Sequence, residues 1–234
     1  MLNRSTRIWE HFPTVFAAIR QSHELVGLSG HHDIHHAARV GQMAFQIALE
    51  EWRDEETAHQ AGLAGLCHNA DRIMEVGRYS EFRGEGMSLD TLVNRWLDQD
   101  RIHADARAAV LKAVKGHANI NQVDDSCVQI ALMDADRVVN LSLDAVMRSA
   151  QHHKSLQTVD YQHALSNPNA QYSSPQSVLK GLWFHTEWAD PTTNVCVRTH
   201  YGKREAQKRL TLIQQYLENV LSQITDEGFF PLPY

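Results

Sequence analysis

At 234 residues, 43% hydrophobic and 21% charged, the chain is long enough to bury a substantial core, as one large domain or two small ones. A formal net charge of -6 without a basic block excludes the electrostatic footprint of a binder of nucleic acid polymers or anionic membranes, and no apolar run reaches transmembrane length. Cys67, Cys127 and Cys196 are odd in number, widely spaced and free of any CxxC pair, which excludes a disulfide framework and a thiolate zinc site.

The N-terminal stretch MLNRSTRIWEHF has charge and aromatics but no apolar run behind it, so a cytoplasmic protein is expected. Apolar residues then recur at three-and-four spacing in segment after segment, with few alternations of period two. The fold class predicted is all-α. A first helix is expected from about Ser5 to Leu25, burying Ile8, Phe12, Val15, Phe16 and Ile19, with Pro13 marking a kink or a late start. Next comes GHHDIHHAARV, Gly30 to Val40, where four of the fifteen histidines fall within six positions. Val40, Met43, Ala44 and Ile47 continue it as an amphipathic helix to about Trp52, placing the histidines on its first turns. At i,i+4 spacing His32 and His36 share one face and His31 and His35 another, so one pair is able to face a common ion or anion.

Asp54, Glu55 and Glu56 suit the N-terminus of a helix running from about Glu56 to Met74, with His68, Asn69 and Asp71 in its last part. Gly77 to Gly86 is polar and glycine-bearing and reads as a surface loop able to reach over a site. Helices follow from about Leu89 to Leu97 and from about Ala104 to Lys115, the latter closed by Gly116 as a C-cap before His117. Asp124-Asp125-Ser126 opens a long helix through Val128 to Leu143. On it Asp134 and Asp136 interrupt an apolar run and point in different directions, so at least one faces the interior, where a carboxylate needs a partner or a metal. Arg137 is a candidate ion-pair partner. Residues from about Gln151 to Ser174 lack periodicity and form an excursion rather than a linker. Helices close the chain at about Pro175 to Trp188 and Arg198 to Ile224. Trp183, Phe184, His185, Trp188 and the final FFPLPY are expected to seal the core under these helices, a partner or dimer surface being the alternative.

Taken together, HDIHHAARV (His32 to Val40), LAGLCHNAD (Leu63 to Asp71), KGHANI around His117 and DADRVVN (Asp134 to Asn140) resemble, in order, the motifs of the HD-domain superfamily of metal-dependent phosphohydrolases. The resemblance covers most of the chain. It implies one HD-domain-like helical bundle over 1–234, with a core of about 25–145, an insertion at 77–99 and a C-terminal helical extension of about 175–225. His32, His68 and Asp136 are implied metal ligands, and Arg39 and Arg137 occupy the family's recurrent arginine positions. The dyad aspartate is replaced by Asn69, which offers one neutral oxygen to an ion that favours anionic ones. Asp71, three residues from His68, is a candidate to restore the lost carboxylate.

The function implied is hydrolysis of a nucleotide or related small phosphate ester by a water activated on a divalent ion, whether Mn, Co, Ni, Fe, Zn or Mg. His36, His117 and Asp71 are the candidate proton carriers. Arg39, Arg72, Arg78 and Lys115 are candidates to hold phosphate oxygens. A degenerate HD domain that binds a small phosphate without turnover is the alternative, and a pH-responsive helical interaction protein a third reading. The oligomeric state is open, a homodimer included.

Overall fold

The computed structural model describes residues 6–28, 30–76 and 87–231. The expected loop at Gly77 to Gly86, with Arg78, lies outside the described residues. Eleven α-helices are present among those described, joined by 3₁₀ turns, with two isolated β-bridges and no sheet. The all-α expectation stands.

The first expected helix is two: α1 (Ile8–His11) and α2 (Pro13–Val26), with Pro13 at the first helical position, where its missing N–H costs nothing. Ile8, Val15 and Ile19 are fully buried and Phe12 and Phe16 half-buried. The histidine segment is also divided. Gly30–His32 forms a 3₁₀ turn, Asp33 caps the next helix by accepting from the His36 N–H at 2.7 Å, and α3 runs Ile34–Trp52. His31 and His32 therefore precede the helix, contrary to the sequence expectation, because the capping preference of Asp33 outweighs simple helical continuity.

The helix expected over Glu56 to Met74 breaks at His68-Asn69 into α4 (Glu55–Cys67) and α5 (Ala70–Val76). Helices α6 (Leu89–Leu97) and α7 (Ala104–Gly116) follow. Gly116 is the last residue of α7 rather than a left-handed cap. A Cβ there would meet the end of the Gln129 side chain at 2.5 Å, a flexible amide that could shift aside. Ser126 caps α8 (Cys127–Asn140), which ends short of the expected Leu143, and a helix not expected from the sequence, α9 (Asp144–His152), follows. The chain ends with α10 (Val178–His185) and α11 (His200–Asp226).

The main core is built where α3, α4 and α8 pack, around Phe45, Ile47, Leu63, Leu66 and Leu132, all essentially inaccessible. Helices α3 and α4 touch backbone to backbone. A Cβ on Gly65 would lie 2.6 Å from the Gly41 Cα, so glycine at both positions permits the approach that brings His36 and His68 together. A smaller second core joins α9, α10 and α11 through Ala145, Leu179, Leu182, Ile213 and Leu217, with Val159 supplied by the excursion. Trp183 packs against this second core beneath Lys180, whose Nζ lies 3.5 Å above its ring and donates to the Leu165 carbonyl at 2.6 Å.

Candidate metal centre

His36 Nε2, His68 Nε2 and an Asp136 oxygen lie within 4.8 Å of one another, the one such group of three among the described residues. Each comes from a different helix or helix end. His36 stands in the first turn of α3. Its Nε2 is 3.1 Å from Asp136 Oδ1. His68 caps the C-terminus of α4, and its Nδ1–H donates to the Gly65 carbonyl at 2.7 Å, which leaves Nε2 as a bare lone pair facing Asp136 Oδ1 at 4.0 Å. Burial holds His68 well below the ordinary imidazole pKa and thus neutral, the form a cation requires. Asp136 points from α8 into the same space. Burial would raise its pKa, but the hydrogen bond it accepts from His36 outweighs that and keeps it ionised. Two imidazole nitrogens and one carboxylate are a donor set that suits a first-row divalent ion, so the residues fit the implied metal.

His32 stands one place away from this group. Its Nδ1 meets Asn69 Oδ1 at 3.3 Å, and Asn69 Nδ2 donates to the His32 carbonyl at 3.1 Å. His36 rather than His32 is in the group of three, and His32, in the 3₁₀ turn before α3, lines the same cavity. Burial, with help from the Arg72 cation, lowers His32 to about 4. His117 follows α7 as His68 follows α4. Its Nδ1–H donates to the Val114 carbonyl at 2.6 Å and its ring centre is 5.5 Å from that of His68.

Asp71 is not brought into the group. One of its oxygens accepts from the Arg72 N–H at 2.8 Å and the other lies 3.6 Å from the Arg72 guanidinium, since the start of α5 turns it away. Lys115 pairs with Asp90 at 2.7 Å on the surface, and Arg39 pairs with Asp144 and donates to Ser142 at 2.9 Å. Neither lines the cavity. Arg72 does line it, with its Nη1 bound to Glu75 at 2.8 Å. Asp134 is the inward-facing partner of the acidic pair. It accepts from the Thr199 and Arg198 N–H groups at 2.7 and 2.9 Å and ties the start of α11 to α8. Arg137 donates to Asn121 at 2.6 Å and to the Cys196 carbonyl at 3.2 Å rather than pairing closely with either aspartate.

The group opens into a cavity of about 590 Å³ whose lining includes eight histidines. Three were not singled out at this site by sequence: His152 and His153 at the end of α9, and His185 on α10. His185 stacks on Trp188 with ring centres 4.4 Å apart and planes inclined by 15°, and both are buried. Tyr172 from the excursion faces the pair, 5.9 Å from Trp188. Of the aromatic residues expected to seal the core, Trp183 packs against the second core, Phe229 is exposed, the last three residues of FFPLPY lie outside the described residues, and Phe184, His185 and Trp188 line the cavity. Their placement depends on the second core, which no local pattern reveals.

No protein-family model and no curated protein sequence matches the chain. Solved structures do share its fold. One is an HD-superfamily hydrolase from Bacillus thuringiensis, 18% identical, with a TM-score of 0.62 over 93% of this chain and 98% of that one. Another is a protein from Lactobacillus plantarum, 14% identical, with a TM-score of 0.62 over the same shares, 93% and 98%. The chain shares the fold of that HD-superfamily hydrolase. Among the described residues no helix is long and apolar enough to cross a membrane.

Proposed function

We propose that the chain is a metal-dependent phosphohydrolase acting on a nucleotide or related small phosphate ester in the cytoplasm. The observation that carries this reading is the convergence of His36 Nε2, His68 Nε2 and Asp136 within 4.8 Å, on the wall of a ligand-sized cavity in a fold shared with an HD-superfamily hydrolase. These three residues would hold a divalent cation. When bound, such a cation supplies a Lewis acid for a phosphoryl oxygen and acidifies a coordinated water.

The remaining roles belong to the chain. His68 offers its lone pair because the Gly65 carbonyl holds its proton on the far nitrogen. His117, held by the Val114 carbonyl in the same tautomer, has Nε2 available to take a proton within the cavity. Arg72 and Arg137 give the cavity positive potential toward a phosphate. The stacked His185 and Trp188, with Tyr172 opposite, offer flat faces to a nucleobase or another planar group. Acidic overall charge and the enclosed site favour a small molecule over a nucleic acid polymer or a membrane surface.

One observation supports a second reading, binding without turnover. Asn69 leaves Asp136 as the one carboxylate in the group. A screen of nucleotides and simple phosphate esters with Mn²⁺, Co²⁺ or Ni²⁺ separates the two. Release of phosphate that is lost in His68→Ala supports the hydrolase. Ligand binding without release in the wild type supports the second reading.

A further inference from the structure

Arg148 stands on α9, outside every segment that carries the family motifs, and is 8% exposed. A guanidinium taken out of water costs several kcal/mol unless its donors are used. They are used: Nε on Asp144 at 2.9 Å, Nη2 on the Val139 carbonyl at 3.3 Å, and Nη1 toward Asn140 Oδ1 at 3.0 Å, His31 Nδ1 at 3.1 Å and His36 Nδ1 at 3.4 Å.

A guanidinium has donors only, so an atom bonded to it must accept, and the two hydrogens of Nη1 are shared among three acceptors, His36 Nδ1 being the farthest at 3.4 Å. Asn140 therefore turns its oxygen to Arg148 and its Nδ2 to Asp136 Oδ1 at 3.0 Å. His31 presents a bare Nδ1, and its proton lies on Nε2, which donates to Ser149 Oγ at 2.9 Å. His36 likewise presents a bare Nδ1, and its Nε2–H donates to the same Asp136 oxygen at 3.1 Å. One buried cation thus sets the polarity of three side chains, two of which converge on Asp136.

We propose that Arg148 is a positioning residue of the centre: it holds Asn140 amide-first on Asp136 and, together with the Asp136 carboxylate, keeps His36 in the Nε2–H tautomer, restraining uptake of a cation there. The contrast with His68 and His117 supports this. Each of those gives its Nδ1–H to a carbonyl and leaves Nε2 bare, the usual arrangement for a ligand histidine. His36 faces a donor instead. To offer its Nε2 lone pair it must release that proton to solvent, take one up at Nδ1, and give up the 3.4 Å contact, the longest of the three on Nη1. The two hydrogens of Nη1 are then used by Asn140 and His31. Arg148 therefore orders the cation-free site and lowers its affinity for the ion. The affinity part rests on the cation-site reading given above, and the tautomer part does not.

The test is long-range proton–nitrogen correlation NMR at pH 8 on cation-free protein labelled with ¹⁵N-histidine, with His36 assigned through His36→Gln. The wild type is expected to show His36 as Nε2–H. Arg148→Met is expected to shift it toward Nδ1–H, while Asp144→Asn, which removes only the Nε support, leaves it unchanged. Titration calorimetry with Mn²⁺ is expected to show about tenfold tighter binding by Arg148→Met than by the wild type. An Nδ1–H His36 in the wild type overturns the proposal without recourse to any Arg148 variant, even if Arg148→Met fails to fold. An unchanged tautomer in Arg148→Met, or weaker cation binding by it, also overturns the proposal. No cation binding by either protein, with the tautomers as expected, overturns the hydrolase reading and the affinity part, leaving the tautomer assignment in place.

Discussion

Asn69 and His32 hold each other by two contacts, amide oxygen to His32 Nδ1 at 3.3 Å and amide nitrogen to the His32 carbonyl at 3.1 Å. The pair links the 3₁₀ turn before α3 to the junction of α4 and α5, so the residue that departs from the family's dyad has a structural task. A carboxylate at this position could still accept from His32 Nδ1–H, but would lose the donor to the carbonyl and add negative charge beside His68. Asn69→Asp is expected to tighten Mn²⁺ binding by about tenfold and to cost about 1 kcal/mol of stability. Calorimetry and denaturant unfolding measure the two effects separately.

Gly65 governs the distance between two of the cation's candidate ligands. A Cβ there would press on the Gly41 backbone at 2.6 Å, where no flexible side chain can yield. Gly65→Ala is expected to destabilise the fold by about 1–3 kcal/mol and to weaken cation binding, because α3 and α4 must separate. Gly27→Ala is the control: nothing lies within 4 Å of an added Cβ, though φ is +69°, so its cost should be backbone strain alone, with cation binding intact. Unfolding and cation titration of both variants check the distinction.

The buried imidazoles impose an acid limit on stability. Burial lowers His31 to about 2 and His185 to about 4, and holds His68 well below its ordinary value. Their unfolded counterparts take up protons near pH 6.5 while the folded forms do not, so the unfolded state binds more protons and stability falls as pH drops below about 6.5. Asp136 adds a loss only at much lower pH, because its folded pKa lies below its unfolded one. Stability of the cation-free protein is expected to fall by roughly 1 kcal/mol for each of the three histidines between pH 7.5 and 5.5. Urea unfolding across that range tests this, and a flat profile would contradict neutral burial of the group.

The helical class and most helix positions were legible in the sequence because the apolar spacing of α3, α7, α8 and α11 is strong and local. The break at His68-Asn69 was not, since His68 is helical in conformation and ends α4 through a side-chain bond to Gly65 rather than through a glycine or proline. Likewise, the motif placed the histidines of the Gly30 to Val40 segment, but the choice between His32 and His36 depends on Asp33 acting as an N-cap. Arg148, His152 and His185 carry no motif. They reach the site through the packing of α9 and α10 on the second core, a long-range fact that spacing does not encode. Lys115 shows the opposite error: a cation beside a motif histidine whose helix face leads it to Asp90 at the surface.

The cationic candidates can be sorted by kinetics. Arg72→Gln is expected to raise KM several-fold for a phosphate ester with a smaller change in kcat, as loss of a substrate contact should. Lys115→Ala should leave both parameters within twofold of the wild type, since its ammonium is committed to Asp90 at 2.7 Å outside the cavity. Equal effects of the two substitutions would contradict the assignment of the cavity as the substrate site.

The most direct test of the centre is cation stoichiometry in protein purified without affinity-column metal, measured by calorimetry and elemental analysis in the wild type and in His36→Ala, His68→Ala, Asp136→Ala and His32→Ala. The expected result is about one Mn²⁺ or Co²⁺ per chain in the wild type, lost in the first three variants and retained in His32→Ala. Loss in His32→Ala with retention in His36→Ala, or no cation in the folded wild type, would contradict the centre described here.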